Sequence, residues 1–467
     1  MKTLPQVIAT PEQLPLISQN RSGIEVIYGA AGSGKTSTAL LRLRSLYYMF
    51  MAKRERQGSE TPIKILILTF NRTLSGYVKN LTENQVNLNS NLELEINTFA
   101  KWAITRLPPL LLKPDLADYK LNQLVKNFDS LTKEYILKEV SYLLGRFETE
   151  NLENYITAER TGRGILPRVD RHLRRRILDE IVYPYNNWLI ENDYKDWNSL
   201  ASSMIKDIPS LNYDIVVVDE SQDFSANQLR AIRYHLAEDH TITFVMDTVQ
   251  RIYARGFTWI EAGYDVRPER ITRLTTNYRN TIEIATFASG ILQGINIEND
   301  GALPNLTTAS GHGEMPLVLR GQYINQISWA IKYIKEKVDL SNESVVFLKP
   351  LAGGWFRTLQ LALESNELEY VDITRENIWP TGDENIALST FHSAKGLEFD
   401  YVFILGFNQQ NTPFTAEEMD DQVVVLRKLL AVGVARARKA VFIGYKPGEE
   451  SKLVEYFIPS TYILEDV

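Results

Sequence analysis

The stretch Gly29-Ala-Ala-Gly-Ser-Gly-Lys-Thr36 follows the apolar run Ile24-Glu-Val-Ile-Tyr28 and precedes a segment of helical character from Ser37 to Phe50. It fits the pattern G-x-x-x-x-G-K-[ST] in the strand–turn–helix order that a phosphate-binding P-loop needs. Gly29, Gly32, Ser33 and Gly34 let backbone N–H groups crowd around an anion, and the helix points its positive end at the same place. On this reading Lys35 reaches the β- and γ-phosphates of a nucleotide, and the Thr36 hydroxyl ligates Mg²⁺. The competing reading is an ordinary Gly/Ser turn, but all eight positions match in the required context.

The chain has 467 residues, enough for roughly three domains. It has no cysteine, which excludes disulfides, thiolate zinc sites and a cysteine nucleophile. The start, Met1-Lys-Thr-Leu-Pro-Gln6, lacks the apolar core of a signal peptide, and no apolar run approaches membrane-spanning length. The expectation is a cytoplasmic protein with no membrane partner. A net charge of −7 does not advertise nucleic acid, yet it does not oppose it, because only the local field in a groove must be positive.

Short runs with the continuous apolar character of strands buried on both faces fall into two sets. The first comprises Ile24–Tyr28, Ile65–Thr69, Leu92–Ile96, Tyr213–Val218 and Ile242–Met246. The second comprises Ser344–Leu348, Ile386–Thr390, Tyr401–Gly406 and Ala440–Gly444, with further strands near Leu317–Leu319 and Tyr370–Ile373. Helical segments separate most of them, which predicts an α/β fold of two tandem domains with parallel sheets. Between the third and fourth strands, Lys101 to Leu211 reads as a mainly helical insertion, with amphipathic stretches at Leu121–Phe128 and Tyr135–Phe147. It contains a basic run, Arg160, Arg163, Arg168, Arg171, Arg174, Arg175 and Arg176. That run reads either as a solvated helix face or as a phosphate-contacting patch.

The strand Tyr213–Val218 ends in Asp219-Glu220-Ser221-Gln222-Asp223. Two carboxylates at the carboxyl end of a parallel strand suit a P-loop ATPase: Asp219 holds Mg²⁺ and Glu220 orients or deprotonates the attacking water.

With this P-loop, D-E-x-Q-D resembles the UvrD/Rep/PcrA-like helicases of superfamily 1A, and other segments resemble the family's remaining motifs in order. Gln13 stands where the family has its adenine-reading glutamine. Leu68-Thr-Phe-Asn-Arg72 and Asn97-Thr-Phe-Ala100 resemble motifs that touch single-stranded DNA, which implies contacts from Phe70, Asn71, Thr98 and Phe99. Asp247-Thr-Val-Gln-Arg-Ile-Tyr253 resembles the motif that couples the γ-phosphate to the DNA path through Gln250, with Tyr253 and Trp259 as base platforms. Leu274-Thr-Thr-Asn-Tyr-Arg279 places Tyr278 against the adenine and Arg279 on the γ-phosphate. In Ser389-Thr-Phe-His-Ser-Ala-Lys-Gly-Leu-Glu-Phe399, Thr390 and His392 face DNA and Glu398 the nucleotide sugar. Val434-Ala-Arg-Ala-Arg438 supplies Arg436 as an arginine finger.

The resemblance implies two RecA-like domains, residues 1–100 with 212–278 (1A) and 279–467 (2A), with a 1B-type insertion at 101–211. It implies an ATP- and Mg²⁺-dependent 3′→5′ translocase or helicase acting on single-stranded or tailed DNA. The alternatives left open are an ATP-switched, DNA-sensing subunit for a protein partner such as a nuclease of an anti-phage system, and an RNA helicase. The chain departs from the family pattern at Ser37 and Ala435, where arginine and threonine are usual, and before Arg255, where a residue and a tryptophan are missing. Only Thr374 to Glu384 separates two strands where relatives carry the large 2B insertion, so the chain reads as lacking 2B.

Overall fold

The structure is a computed structural model that describes residues 9–29, 33–70, 75–76, 78–79, 82, 92–108, 112–159, 169–246, 257–275, 280–295, 311–349, 355–374, 379–380, 382, 384–412 and 421–467. Two parallel sheets organise it. The first contains β1 (Gly23–Gly29), β2 (Ile63–Thr69), β3 (Leu92–Thr98), β4 (Tyr213–Val218), β5 (Leu236–Met246) and β6 (Ile271–Leu274), in the order β3-β2-β4-β5-β1-β6. The second contains β7 (Leu317–Arg320), β8 (Val345–Lys349), β9 (Tyr370–Asp372), β10 (Ile386–Thr390), β11 (Phe399–Ile404), β12 (Ala437–Tyr445) and β13 (Ile463–Asp466), in the order β13-β7-β12-β11-β8-β10-β9. Every pair of neighbouring strands is parallel, as the unbroken apolar runs predict.

Two strands are absent from the sequence reading. β6 is short and lies beside β1, leading into Thr275. β13 shows that the tail after Arg438 is an edge of the second sheet rather than a loose end. The P-loop helix spans Lys35–Gln57, longer at both ends than expected, and stops at Gly58, whose φ of 63° is the usual left-handed C-terminal stop.

The segment between β3 and β4 is mainly helical, with helices Pro114–Lys126, Lys133–Arg146, Arg171–Ile177, Tyr183–Glu191 and Ser199–Lys206. Helices Pro114–Lys126 and Lys133–Arg146 replace the expected Leu121–Phe128 and Tyr135–Phe147, because Pro114 and the Thr132 side chain open them earlier. The insertion has its own apolar core, which includes Val125, Ile136, Val140, Leu143, Ile177 and Ile181. Its attachment to the first sheet is apolar at Leu107, Leu200, Ala201 and Met204, which pack with Val216 and Val218, and is supplemented by polar contacts. Tyr213 on β4 accepts from the Trp102 indole at 3.0 Å and donates to Glu95 on β3 at 2.6 Å, while His235 accepts from Leu211 N at 3.2 Å. No helix among the described residues is long and apolar enough to cross a membrane.

Candidate active site

β1 delivers the chain to Gly29, and helix Lys35–Gln57 begins immediately after Gly34. Gly34 has a φ of 73°, and an added Cβ would lie 2.5 Å from Gln13 Nε2, so both backbone and space call for glycine. Gln13 sits in that gap. Its amide donates to Ser33 O at 3.2 Å and its Oε1 accepts from Thr10 N at 3.0 Å. Lys35 Nζ donates to Gly29 O at 2.8 Å, which draws the two ends of the loop together.

The β1 and β4 ends are brought together although β5 lies between their strands: Thr36 Oγ1 donates to Asp219 Oδ2 at 3.0 Å. Glu220 occupies left-handed backbone, φ 51°, rare for a residue with a side chain and a mark of functional turns. Its N–H donates back to Asp219 Oδ1 at 2.9 Å. Both carboxylates are buried. Burial, then the charge of Glu220, pushes the Asp219 carboxyl up to about 7. Burial would also raise Glu220, but Lys395, Lys35 and Arg436 hold it below the usual carboxylate range. A hydroxyl and a carboxylate side by side are the hard oxygen donors that Mg²⁺ takes from protein when phosphates complete its shell, so Thr36 and Asp219 fit that ion. When bound there it would neutralise phosphate charge.

The second sheet supplies Lys395, from the turn between β10 and β11. Its side chain is buried, contacts Asp223 Oδ2 and lies 3.3 Å from Glu220 Oε2. Its Nζ also stands 5.7 Å from the centre of the Phe70 ring, at the end of β2. Gln222 donates to Glu220 Oε2 as well. Arg436 is buried near enough to lower Glu220, with Nε donating to Val432 O at 3.0 Å and Nη1 to Leu397 O at 3.3 Å. Buried Asn280 brackets it: Nδ2 donates to Ala435 O at 3.2 Å and also to Ala437 O.

Lys35, Thr36, Asp219, Glu220 and Arg436 therefore converge. Thr390 and His392 lie on the same turn as Lys395. The Thr390 hydroxyl accepts from Ser393 N at 3.1 Å, and burial, then Lys395, keeps His392 below its ordinary value. Glu398 is half-buried at the far end of that turn. Thr98 caps helix Phe99–Ile104 by accepting from Lys101 N at 3.3 Å. Phe99 is corrected to a core residue: it is 4% exposed and meets Trp102 edge-on at 5.5 Å. Trp259 leans on Phe244 with ring centres 4.7 Å apart, and its indole donates to Tyr28 OH at 3.3 Å. Gly32, Asn71, Gln250, Tyr253, Tyr278 and Arg279 lie outside the described residues.

Three arginines of the described part of the basic run are held by partners within the insertion. Arg174 donates to the carbonyls of Tyr155, Ile156 and Ala158, Arg175 pairs with Glu153, and Arg176 pairs with Glu180. The roles missed from sequence belong to Lys395, Asp223 and Asn280. The first two stand inside quoted motifs, but their pairing is not encoded in spacing. Asn280 carried only the signal of following Arg279.

The UvrD/REP helicase N-terminal domain profile matches residues 9–257, and the UvrD-like helicase C-terminal domain profile matches residues 356–447. A probable DNA helicase of Mycoplasma pneumoniae is 24% identical over 93% of this chain and 84% of its own length. The ATP-dependent DNA helicase Rep of Buchnera aphidicola subsp. Acyrthosiphon pisum is 27% identical over 29% of this chain and 23% of its own. Among solved structures, the C-terminal domain of a possible DNA helicase from Lactobacillus aligns over 40% of this chain and 99% of its own, at 20% identity and a TM-score of 0.30. With a P-loop, an Asp219–Glu220 pair and a second sheet closing on them, and with the N-terminal profile covering more than half its length, this chain belongs to the UvrD/Rep helicase family.

Proposed function

We propose that the chain is an ATP-driven motor that moves 3′→5′ along single-stranded DNA and hydrolyses ATP between its two sheet domains. The observation that carries this reading is the Lys395 contact. It runs from the turn that also bears Thr390 and His392 to Glu220 and Asp223 beside the P-loop. A strand pressing on that turn would move a buried cation at the hydrolytic carboxylate, which links DNA occupancy to chemistry.

Thr36 and Asp219 hold the metal, Lys35 steadies the phosphates, and Glu220 orients water. Arg436, with Arg279, stabilises charge on the transferred phosphoryl group, and domain closure gates the step. Gln13 and Tyr278 hold the base, and Glu398 the sugar. Phe70, the half-buried ring under Lys395, is the favoured base platform. Subdomain 1A comprises residues 1–100 and 212–278, 1B comprises 101–211 and 2A comprises 279–467, without a 2B insertion. Such a motor translocates well and unwinds duplex poorly by itself.

The test measures ATPase rate with no nucleic acid, single strand, duplex, and 3′- and 5′-tailed DNA, with RNA oligomers in parallel. Streptavidin displacement from either DNA end is read beside unwinding. Stimulation by single strand and displacement from one end only support the motor. ATP binding without turnover replaces it with an ATP-controlled switch acting through a protein partner, and equal stimulation by RNA reassigns the substrate.

A further inference from the structure

Arg42 lies about two turns beyond Lys35 on the P-loop helix and is among the largest fully buried side chains. Its Nη1 donates to Leu16 O at 3.1 Å and to Gln19 O, and Nε donates to Thr243 Oγ1 on β5 at 3.4 Å. Nη2 has no hydrogen-bond partner among the described residues. Opposite it stands Glu25, buried on β1, which Arg21 reaches at 3.1 Å and Arg270 at 4.0 Å. A buried guanidinium with an unused donor is a poor way to gain stability, since an apolar side chain would fill the same space at lower cost. What this one does is geometric.

The two carbonyls it grips belong to the middle of helix Leu14–Ser18 and to Gln19, its C-cap. The other end of that helix is Gln13, wedged against Gly34 and bonded to Ser33 O. A closed ring results: P-loop, Gln13, the short helix, Arg42, and back along the long helix to the P-loop. A second tether secures the same segment, because Glu12 accepts from Thr275 N at 2.7 Å and from Thr275 Oγ1 at 2.9 Å. A five-residue helix does not hold itself in place in water, so its position depends on these anchors.

We infer that Arg42 is a positioning residue for nucleotide recognition, clamping the Gln13-bearing segment against the P-loop and so setting affinity and selectivity at the base end of the nucleotide. This deepens the proposed ATP-driven reading and rests on it.

The test compares wild type, R42K and R42M in MgADP titration calorimetry, in steady-state turnover of ATP and GTP, and in thermal melting. R42M is expected to weaken ADP binding and raise the ATP KM by about tenfold while kcat falls less than about threefold, with a narrowed ATP-over-GTP preference. R42K, which keeps the charge but not the fork, is expected to fall between. A folded R42M whose affinity and selectivity match wild type, or whose defect is confined to melting temperature and active fraction, overturns the inference. If R42M does not fold, R42K decides, and wild-type affinity and selectivity in R42K overturns it. Failure of the motor reading is read separately, as wild type that binds ADP without strand-stimulated turnover; the ADP arm tests the clamp in either case.

Discussion

Lys395 Nζ lies 3.3 Å from Glu220 Oε2 and also touches Asp223, so a cation carried by the second sheet is buried against the carboxylates of the first. With both partners almost wholly out of water, neither charge is well solvated without the other. Moving Lys395 changes the electrostatics of Glu220 directly, without relay through intervening side chains.

Replacing Lys395 with methionine takes the cation off buried Asp223 and leaves Glu220 with only the more indirect support of Lys35 and Arg436. Breaking a buried pair in this way costs about 3–5 kcal/mol. The expected result is a lower melting temperature together with loss of single-strand stimulation of ATPase, measured with and without oligonucleotide. A variant that melts like wild type and is fully stimulated would remove Lys395 from the coupling.

Asn280 holds the carbonyls on either side of Arg436, so N280A should act through the arginine. Losing these bonds is expected to lower kcat about tenfold, at roughly 1–1.5 kcal/mol. R436K should lower it by about 10³-fold, the scale of an arginine finger. The double variant N280A/R436K is expected to be no slower than R436K alone, and a multiplicative loss in single-turnover rates would show that Asn280 acts elsewhere.

Gly34→Ala adds a methyl 2.5 Å from Gln13 Nε2 at a backbone φ of 73°. The left-handed backbone alone costs about 1–2 kcal/mol, so a loop displaced to relieve it should lose nucleotide affinity by about 5- to 30-fold in titration calorimetry. Combining it with Gln13→Ala removes the collision but not the backbone strain, so the added methyl should cost less in that background. An equal loss in both backgrounds would mean that Gln13 does not press on the loop.

His235 is buried with both ring nitrogens engaged, Nδ1 accepting from Leu211 N and Nε2 meeting Met204 O at 3.0 Å. Burial lowers it to about 4 from an ordinary 6.5. Because its folded pKa is depressed, protonation favours the unfolded chain. Its contribution is intact above pH 6.5 and is lost progressively as pH falls from 6.5 towards 4. The loss amounts to about 3 kcal/mol at the acid end. Denaturant midpoints taken across that window should fall more steeply for wild type than for His235→Gln, and parallel slopes would contradict the assignment.

Most strands were legible because a strand covered on both faces is apolar throughout, as β4 shows with Tyr213–Val218 buried at every position. β13 escaped because all four of its residues are exposed at the sheet edge, so it carries no burial signature. Phe99 misled for the opposite reason. The resemblance implied a DNA contact for it, yet its ring is buried against Trp102 in the core. The arginines of helix Arg171–Ile177 stayed open between a solvated face and a patch because the partners of Arg174 and Arg175, Glu153 and the carbonyls of Asn154–Thr157 and its C-cap, lie upstream of the run, and only Arg176 pairs one turn on, with Glu180.

The sequence by itself determined the P-loop, the Asp219–Glu220 pair, the two-sheet α/β plan and the helical insertion. Each is written in local spacing or periodicity, and short-range sterics and burial enforce both. Only the tertiary structure decided what surrounds those groups: Lys395 on Asp223 across 172 positions of chain, Asn280 beside Arg436, and Arg42 beneath the Gln13 segment. Hydrogen bonds and Coulomb interactions depend on distance through space, and no spacing along the chain encodes which distant residue fills a buried site.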